Sequence, residues 1–223
     1  MRLVNIPRDK EMKILDIGCG TGQHTLLLAD QFPNARITAI DNNDSYLRKL
    51  KERLQVKGLE KRVDVLNLSM FEMDFPKGTF DMIWAEGSIY IAGFQKGLQD
   101  WRKFLKKDGY LVCSEISWLH SHPSEESRQF WNQSYSDMNT IPDKIKQIED
   151  NHYVYMSSFV LPKEDWTEEY YAPLAANLKH MREKYAGNEE ALEAVEMIQQ
   201  EINLYHEQSS DYSYVFYCKQ RKD

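Results

Sequence analysis

Short apolar runs alternate with stretches of helical period through the first half of the chain. Residues 13–17 read as a buried strand carrying an acid near its C-terminal end. Leu26, Leu27, Leu28, Ala29 and Phe32 then supply the inward face of a helix that Pro33 ends. Residues 35–40 form the next strand, with Asp41 at its tip. Asp44 is placed to cap a helix in which Tyr46, Leu47, Leu50 and Leu54 recur at helical spacing, and Gly58 is placed to stop it. Residues 62–68 are a third strand, followed by a loop over 69–78. Residues 80–85 are a fourth, whose continuous apolar character suits burial on both faces. Phe94, Leu98, Trp101 and Leu105 mark one more helix, and the turn KKDG leads into a fifth strand over 110–116. Strands and helices alternating at these intervals predict a parallel, doubly wound sheet.

From residue 117 the texture changes. The chain is polar and aromatic to about residue 151, with helices expected over 124–138 and 142–150, and a sixth strand over 153–161. Two charged helices follow, over 164–185 and 189–208. In the second, Leu192, Val195, Ile198, Ile202 and Tyr205 line one face. Residues 212–218 close the chain as a seventh strand. The fold class is therefore α/β: a doubly wound, mostly parallel, seven-stranded sheet with helical insertions in the C-terminal half. No repeat and no linker stands out, and residues 1–223 read as a single domain.

Charge and cysteine content narrow the function classes. A net charge of −7 disfavours a surface that tracks phosphates, so nucleic acid is not expected as a partner. No apolar run approaches the roughly 20 residues of a membrane helix. The first dozen residues lack the apolar core of a signal peptide. The three cysteines, at 19, 113 and 218, lie in strand-like surroundings rather than in a disulfide framework. A reduced, cytoplasmic protein is the expectation.

The candidate chemistry starts at the turn after the first strand, Asp16-Ile17-Gly18-Cys19-Gly20-Thr21-Gly22. Glycine permits positive φ and lets a ligand touch the backbone, and a helix N-terminus follows. The spacing departs from the dinucleotide fingerprint, because Gln23 stands where its third glycine would be. The D-x-G-x-G-x-G turn resembles the first motif of class I S-adenosylmethionine-dependent methyltransferases. Asp41 lies where an acid accepts both ribose hydroxyls, the geometry that dinucleotide sites also use. The resemblance runs over about residues 12–118 and implies the Rossmann-like methyltransferase fold. It implies S-adenosylmethionine as cofactor, held by Asp16, Gly18, Gly20, Gly22, Asp41, Asn42, Ser69, Met70 and Glu86. Asp16 would orient the turn or accept from the cofactor's amino group. Asn42 would flank the adenine and Met70 would pack on it, with Ser69 where the family often has Asp.

Transfer from a sulfonium methyl mostly requires alignment and exclusion of water. Glu86 and Tyr90, just beyond strand four, are the catalytic candidates. Glu86 would hold the sulfonium side by charge or orient an amine, and Tyr90 would position the acceptor. Glu115, Trp118, His120 and His122 are the next groups along. Two histidines at i, i+2 without a third ligand nearby do not make a metal site, so no metal is expected. The acceptor is expected to be a small molecule, since AEGSIY replaces the Asn/Asp-Pro-Pro-aromatic element and no Pro-Cys dipeptide occurs. Strand one begins at residue 13, where many members carry a longer helical lead. Residues 117–208, with Trp118, Trp131 and Trp166, are therefore expected to wall the acceptor pocket, and a homo-oligomer is another way to close the site. Ordinary packing is the alternative for those aromatics. A protein that binds S-adenosylmethionine without transferring methyl, and a nicotinamide-dependent oxidoreductase, are the rival functions.

Overall fold

Five apolar runs in the first half form β1 (Lys13–Ile17), β2 (Arg36–Asp41), β3 (Val63–Asn67), β4 (Phe80–Ala85) and β5 (Leu105–Trp118). With β6 (Tyr153–Val160) and β7 (Tyr212–Arg221) they make one seven-stranded sheet in the order β3-β2-β1-β4-β5-β7-β6. The pairs β3-β2, β2-β1, β1-β4 and β4-β5 are all parallel. The order reverses at β1, whose neighbours are β2 on one side and β4 on the other, and ligands of open α/β sheets bind at that reversal. This computed structural model describes residues 6–223, the side chain of Glu169 excepted. The first five residues, part of the stretch read for a signal peptide, lie outside the described residues.

The chain groups into two compact units. One comprises the chain up to Glu115 together with Lys144–Phe159 and Phe216–Asp223; the other comprises Ile116–Asp143 and Val160–Val215. In the first unit, α1 (Gln23–Gln31) and α2 (Asp44–Lys57) bury Leu28, Ala29, Leu47, Leu50 and Leu54 against Ile14, Ile37, Ala39 and Met82. Leu15 and Ile17 are fully buried outside that cluster, so β1 is covered on both faces. Leu27 and Tyr46, expected to face inward, are instead 51% and 44% exposed. Each sits one position beside the buried stripe of its helix, and a stripe about 100° wide does not reach them.

Two helix boundaries differ from expectation for local reasons. Asn43, not Asp44, caps α2: its Oδ1 accepts from the N–H groups of Ser45 (3.0 Å) and Tyr46 (3.3 Å). Asp44 is the first helical residue, and its carboxylate accepts from Asn67 Nδ2 at 2.6 Å. Leu105 does not extend the helix that begins at Phe94. That helix, α4 (Phe94–Arg102), follows a single-turn α3 (Ile89–Ala92), and Leu105 opens β5 opposite Phe80. The KKDG excursion lies inside β5 as a bulge, between the pairs Phe80–Leu105 and Met82–Tyr110, with Asp108 at φ 59°.

The second unit holds α5 (Glu125–Ser134), α7 (Lys163–Trp166), a π-helical turn (Thr167–Tyr171), α8 (Ala172–Lys184) and α9 (Glu189–Gln208). The helix expected over 164–185 is broken by that π turn just before Pro173, which lacks a backbone N–H. Trp118, Trp131, Trp166, Tyr171, Tyr205 and Tyr212 form its core, with ring centroids 5.1–6.2 Å apart along the chain of contacts. The three tryptophans expected to face an acceptor pocket are 9% exposed or less, so packing accounts for them. The stripe on α9 is used as expected at Val195, Ile198, Ile202 and Tyr205. No helix among the described residues is long and apolar enough to cross a membrane.

Candidate functional site

The three glycines of the first turn have three different jobs. All take positive φ: 72° at Gly18, 53° at Gly20 and 87° at Gly22. A Cβ on Gly22 would lie 2.2 Å from Leu50 Cδ1, so this glycine lets α1 pack on α2. A Cβ on Gly18 would lie 2.6 Å from Ser88 Cβ, so this one admits the loop after β4. A Cβ on Gly20 would meet no protein atom within 4 Å, and its N–H donates to Asp41 Oδ2 at 3.0 Å. Gly20 alone faces open space, the condition for a ligand to approach the backbone. Alanine at either Gly20 or Gly22 carries a left-handed backbone strain of about 1–2 kcal/mol. Gly22→Ala adds an overlap worth about 1–3 kcal/mol more. Urea midpoints should therefore fall further for Gly22→Ala than for Gly20→Ala; equal losses would mean that α2 yields to the extra methyl.

Asp41 sits at the end of β2 with both carboxylate oxygens aimed at backbone: Oδ2 takes Gly20 N–H and Oδ1 takes Asn43 N–H at 2.9 Å. Next to it opens a cleft of about 240 Å³. Gly18 lies in it after β1, Ile40, Asp41 and Asn42 at the end of β2, Ser69, Met70 and Phe71 after β3, and Ile91 on α3. These are the C-terminal ends of adjoining strands beside the reversal in strand order. Its apolar wall includes exposed side chains, Tyr46 (44%), Ile91 (52%) and Phe71 (61%), which suit the flat faces of a purine.

The cleft thus brings together Gly18, Asp41, Asn42, Ser69 and Met70 from the expected set. Asp16, Gly20, Gly22, Glu86 and Tyr90 are not part of its lining. Asp16 is 2% exposed and accepts from Thr25 Oγ1 at 2.6 Å, tying β1 to α1 across the turn. Burial raises its pKa to about 6; the Thr25 hydrogen bond and the charge of His24 hold it lower than burial alone would, against the carboxylates of Glu86 and Asp41. Of its two expected roles, the geometry supports orienting the turn. Tyr90 stands on α3 beside Ile91 and is 43% exposed.

Glu86 is engaged by His24, a residue that the sequence reading passed over: Glu86 Oε1 lies 3.0 Å from His24 Nε2. The same loop is pinned twice more. Ser88 Oγ donates to Ile17 O at 2.7 Å, and Gly87 N–H donates to Ser114 Oγ at 2.8 Å. Ser88, 2% exposed, is the second omission; the one signal for it was that Gly18 needs a small close neighbour. Burial alone would push the His24 pKa down, but the hydrogen bond and charge of Glu86, joined by Asp16, carry it above the ordinary histidine value. A raised histidine stabilises the fold fully below its unfolded pKa, and that contribution is lost as pH rises through the folded value. With His24 40% exposed at the side chain, the effect on stability is small, and NMR is the sharper probe. The His24 ring should titrate above the ordinary histidine range in wild type and drop in Glu86→Gln; no drop would mean the pair does not persist in solution.

The later candidates are spoken for elsewhere. Glu115 is fully buried and pairs with Lys144 Nζ at 2.8 Å, so it is not available to an acceptor. In the second unit, His120 Nε2 lies 3.2 Å from Asp211 Oδ1, and its Nδ1 accepts from His122 N–H at 3.3 Å. Among the described residues no group of three or more His, Cys, Asp or Glu side chains is placed to hold a metal ion.

The profile of the methyltransferase domain family matches residues 8–177. The chain belongs to that family. Curated relatives include a malonyl-[acyl-carrier protein] O-methyltransferase of Paenibacillus, 30% identical over 104 residues, which cover 46% of this chain and 38% of the relative. A sterol 24-C-methyltransferase of Yarrowia lipolytica is 28% identical over 117 residues, 52% of this chain and 30% of the relative. The matches thus span about a third of the length of these relatives. Among solved structures, a SAM-dependent methyltransferase from Geobacter sulfurreducens in complex with S-adenosyl-L-homocysteine superposes with a TM-score of 0.78. It is 17% identical, with 96% of this chain and 86% of that one covered. At that identity the likeness establishes the fold: a seven-stranded, Rossmann-like methyltransferase sheet.

Proposed function

We propose that this methyltransferase-family protein transfers the methyl group of S-adenosylmethionine to a small-molecule acceptor. The observation that carries the reading is the join between Asp41 and Gly20. One carboxylate both fixes the open glycine turn and lines a cleft of about 240 Å³ beside the strand-order reversal. S-adenosylmethionine, when bound, supplies an already activated methyl on a sulfonium. The chain's own task is to hold and align it. In this proposal Asp41 takes the ribose hydroxyls, and Met70, Phe71 and Ile91 flank the adenine beside Asn42 and Ser69. Gly18 and Gly20 let the cofactor reach the backbone. Glu86, with His24, holds the sulfonium side, and Tyr90 positions the acceptor.

The relatives named above act on chemically unlike acceptors, a malonyl group on a carrier protein and a sterol, so they support methyl transfer without choosing oxygen or carbon. The net charge of −7 argues for a small acceptor over nucleic acid. Residues 117–208 enter the proposal as the source of the acceptor pocket's wall, on their position in the chain after β4 and within and beyond β5. Hydrogen exchange with S-adenosylhomocysteine should show altered protection there; no change would remove that part.

Calorimetry with S-adenosylmethionine, S-adenosylhomocysteine and NAD is the first test. Binding of NAD alone would overturn the reading in favour of an oxidoreductase. Single-turnover incubation of methyl-labelled S-adenosylmethionine with a metabolite extract is the second. Tight binding with no labelled product would assign the protein to sensing rather than transfer.

A further inference from the structure

Three titratable side chains meet beside the glycine turn, each from a different part of the fold. Asp16 comes from β1, His24 from the first turn of α1 and Glu86 from the loop after β4. Glu86 Oε1 and His24 Nε2 are 3.0 Å apart, with 23% and 40% of their side chains exposed, so both stay within reach of a ligand. Asp16 is buried on Thr25 Oγ1 at 2.6 Å, and its charge acts on His24 as well. Asp41, at the end of β2, acts in turn on Asp16.

Glu86 is a fixed point in this cluster. Its loop is held by Ser88 on Ile17 O and by Gly87 on Ser114 Oγ, so the carboxylate does not swing away with an arriving ligand. His24 projects from α1 and is the more exposed partner, so it is the side that yields. An opposite charge nearby favours the charged form of a titratable group, and a like charge disfavours it. A cation brought to Glu86 therefore drives the proton off His24. A neutral atom in the same place leaves the proton where it is.

We propose that His24 sets this site's preference for the sulfonium of S-adenosylmethionine over the neutral thioether of S-adenosylhomocysteine, by giving up its proton when a cation takes its place on Glu86. The inference rests on the proposed function, and within it on Glu86 holding the sulfonium side. The two ligands share adenine, ribose and amino-acid groups, so titrations that act through those groups cancel in the ratio of affinities. The His24 proton does not cancel.

The sign follows from linkage. Glu86 and Asp16 keep the proton on His24 to a higher pH than usual in the ligand-free protein. The sulfonium ligand must expel that proton, so its binding strengthens as pH rises through the folded His24 value. The thioether ligand expels none. The dissociation constant of S-adenosylhomocysteine, divided by that of S-adenosylmethionine, should rise with pH by at most about tenfold per unit for one proton. Once the methyl has left, His24 regains its proton and its place on Glu86, and the spent ligand loses its hold there.

Calorimetry of wild-type protein with each ligand, from about pH 6 to about pH 9 and in two buffers of different ionisation enthalpy, is the test. The expected result is proton release with S-adenosylmethionine, none with S-adenosylhomocysteine, and an affinity ratio that rises with pH. His24→Gln should bind both ligands without proton release and at a ratio independent of pH. NMR titration of the wild-type His24 ring reads the same proton without a variant: its midpoint should fall with S-adenosylmethionine and hold with S-adenosylhomocysteine. Binding of both ligands at a ratio flat with pH overturns the role of His24 and leaves the cofactor reading standing. Equal proton release with both ligands does the same, as does a pH-dependent ratio that survives in His24→Gln. Binding of neither ligand by wild-type protein overturns the cofactor reading and this inference together.

Discussion

Asp41→Ala should weaken S-adenosylmethionine binding by about 100-fold or more, by removing two charge-assisted hydrogen bonds worth roughly 1.5–3 kcal/mol each. The loss has a second part that an exposed ribose-binding acid would not have. Asp41 also accepts from Gly20 N–H at 3.0 Å and Asn43 N–H at 2.9 Å, so alanine releases the turn and the cap residue of α2 together. Asp41→Asn separates the contributions. An amide keeps one acceptor oxygen but sets an NH₂ against one of those two backbone donors, so the variant should fold less stably than its small change in size suggests. Calorimetry with S-adenosylhomocysteine reads the binding term, and urea unfolding of the ligand-free protein reads the turn term. Unchanged affinity in Asp41→Ala would place the ribose elsewhere and remove the central support for the proposed function.

The strands of the first half were legible as short apolar runs, and the helices between them by their stop residues, Pro33 after α1 and Gly58 after α2, where φ is 64°. The glycine turn and Asp41 were legible for a similar reason. Both do backbone chemistry that few residue types can do, at a spacing that strand and helix lengths dictate. What stayed hidden was long-range. Glu86 lies 62 positions from His24, and Ser88 lies 71 from Ile17. No local pattern announces an imidazole or a hydroxyl whose partner lies three strands away in the chain. Leu105 misled for the opposite reason: it falls at helical spacing from Phe94, Leu98 and Trp101, yet the chain has already turned by Phe104, whose N–H bonds back to Trp101 O at 3.0 Å. Charged residues misled as well. A glutamate near the end of a strand reads as candidate chemistry until the fold brings up its counter-ion, as α6 (Ile141–Asp150) brings Lys144 to Glu115 in β5.

That last pair carries the second large prediction. Lys144→Met should destabilise the protein by about 3–5 kcal/mol, because it leaves a carboxylate with 0% exposure and no counter-charge from α6. Glu115→Leu should cost a comparable amount from the other side, leaving Lys144 and Lys219 as two buried cations over one phenyl ring. For a chain of this length, such a loss lowers the melting temperature by roughly 6–20 °C. The double variant, Glu115→Leu with Lys144→Met, should be more stable than either single one. It removes both desolvated charges and fills the space with apolar atoms, and buried ion pairs replaced in this way are often neutral or better. Residues in direct contact do not have additive effects, so the interaction term in the double-mutant cycle is the quantity to measure, from urea midpoints and slopes. If the two losses simply added, the charges would be solvated separately in solution. The contact at 2.8 Å would then contribute nothing to holding α6 against β5.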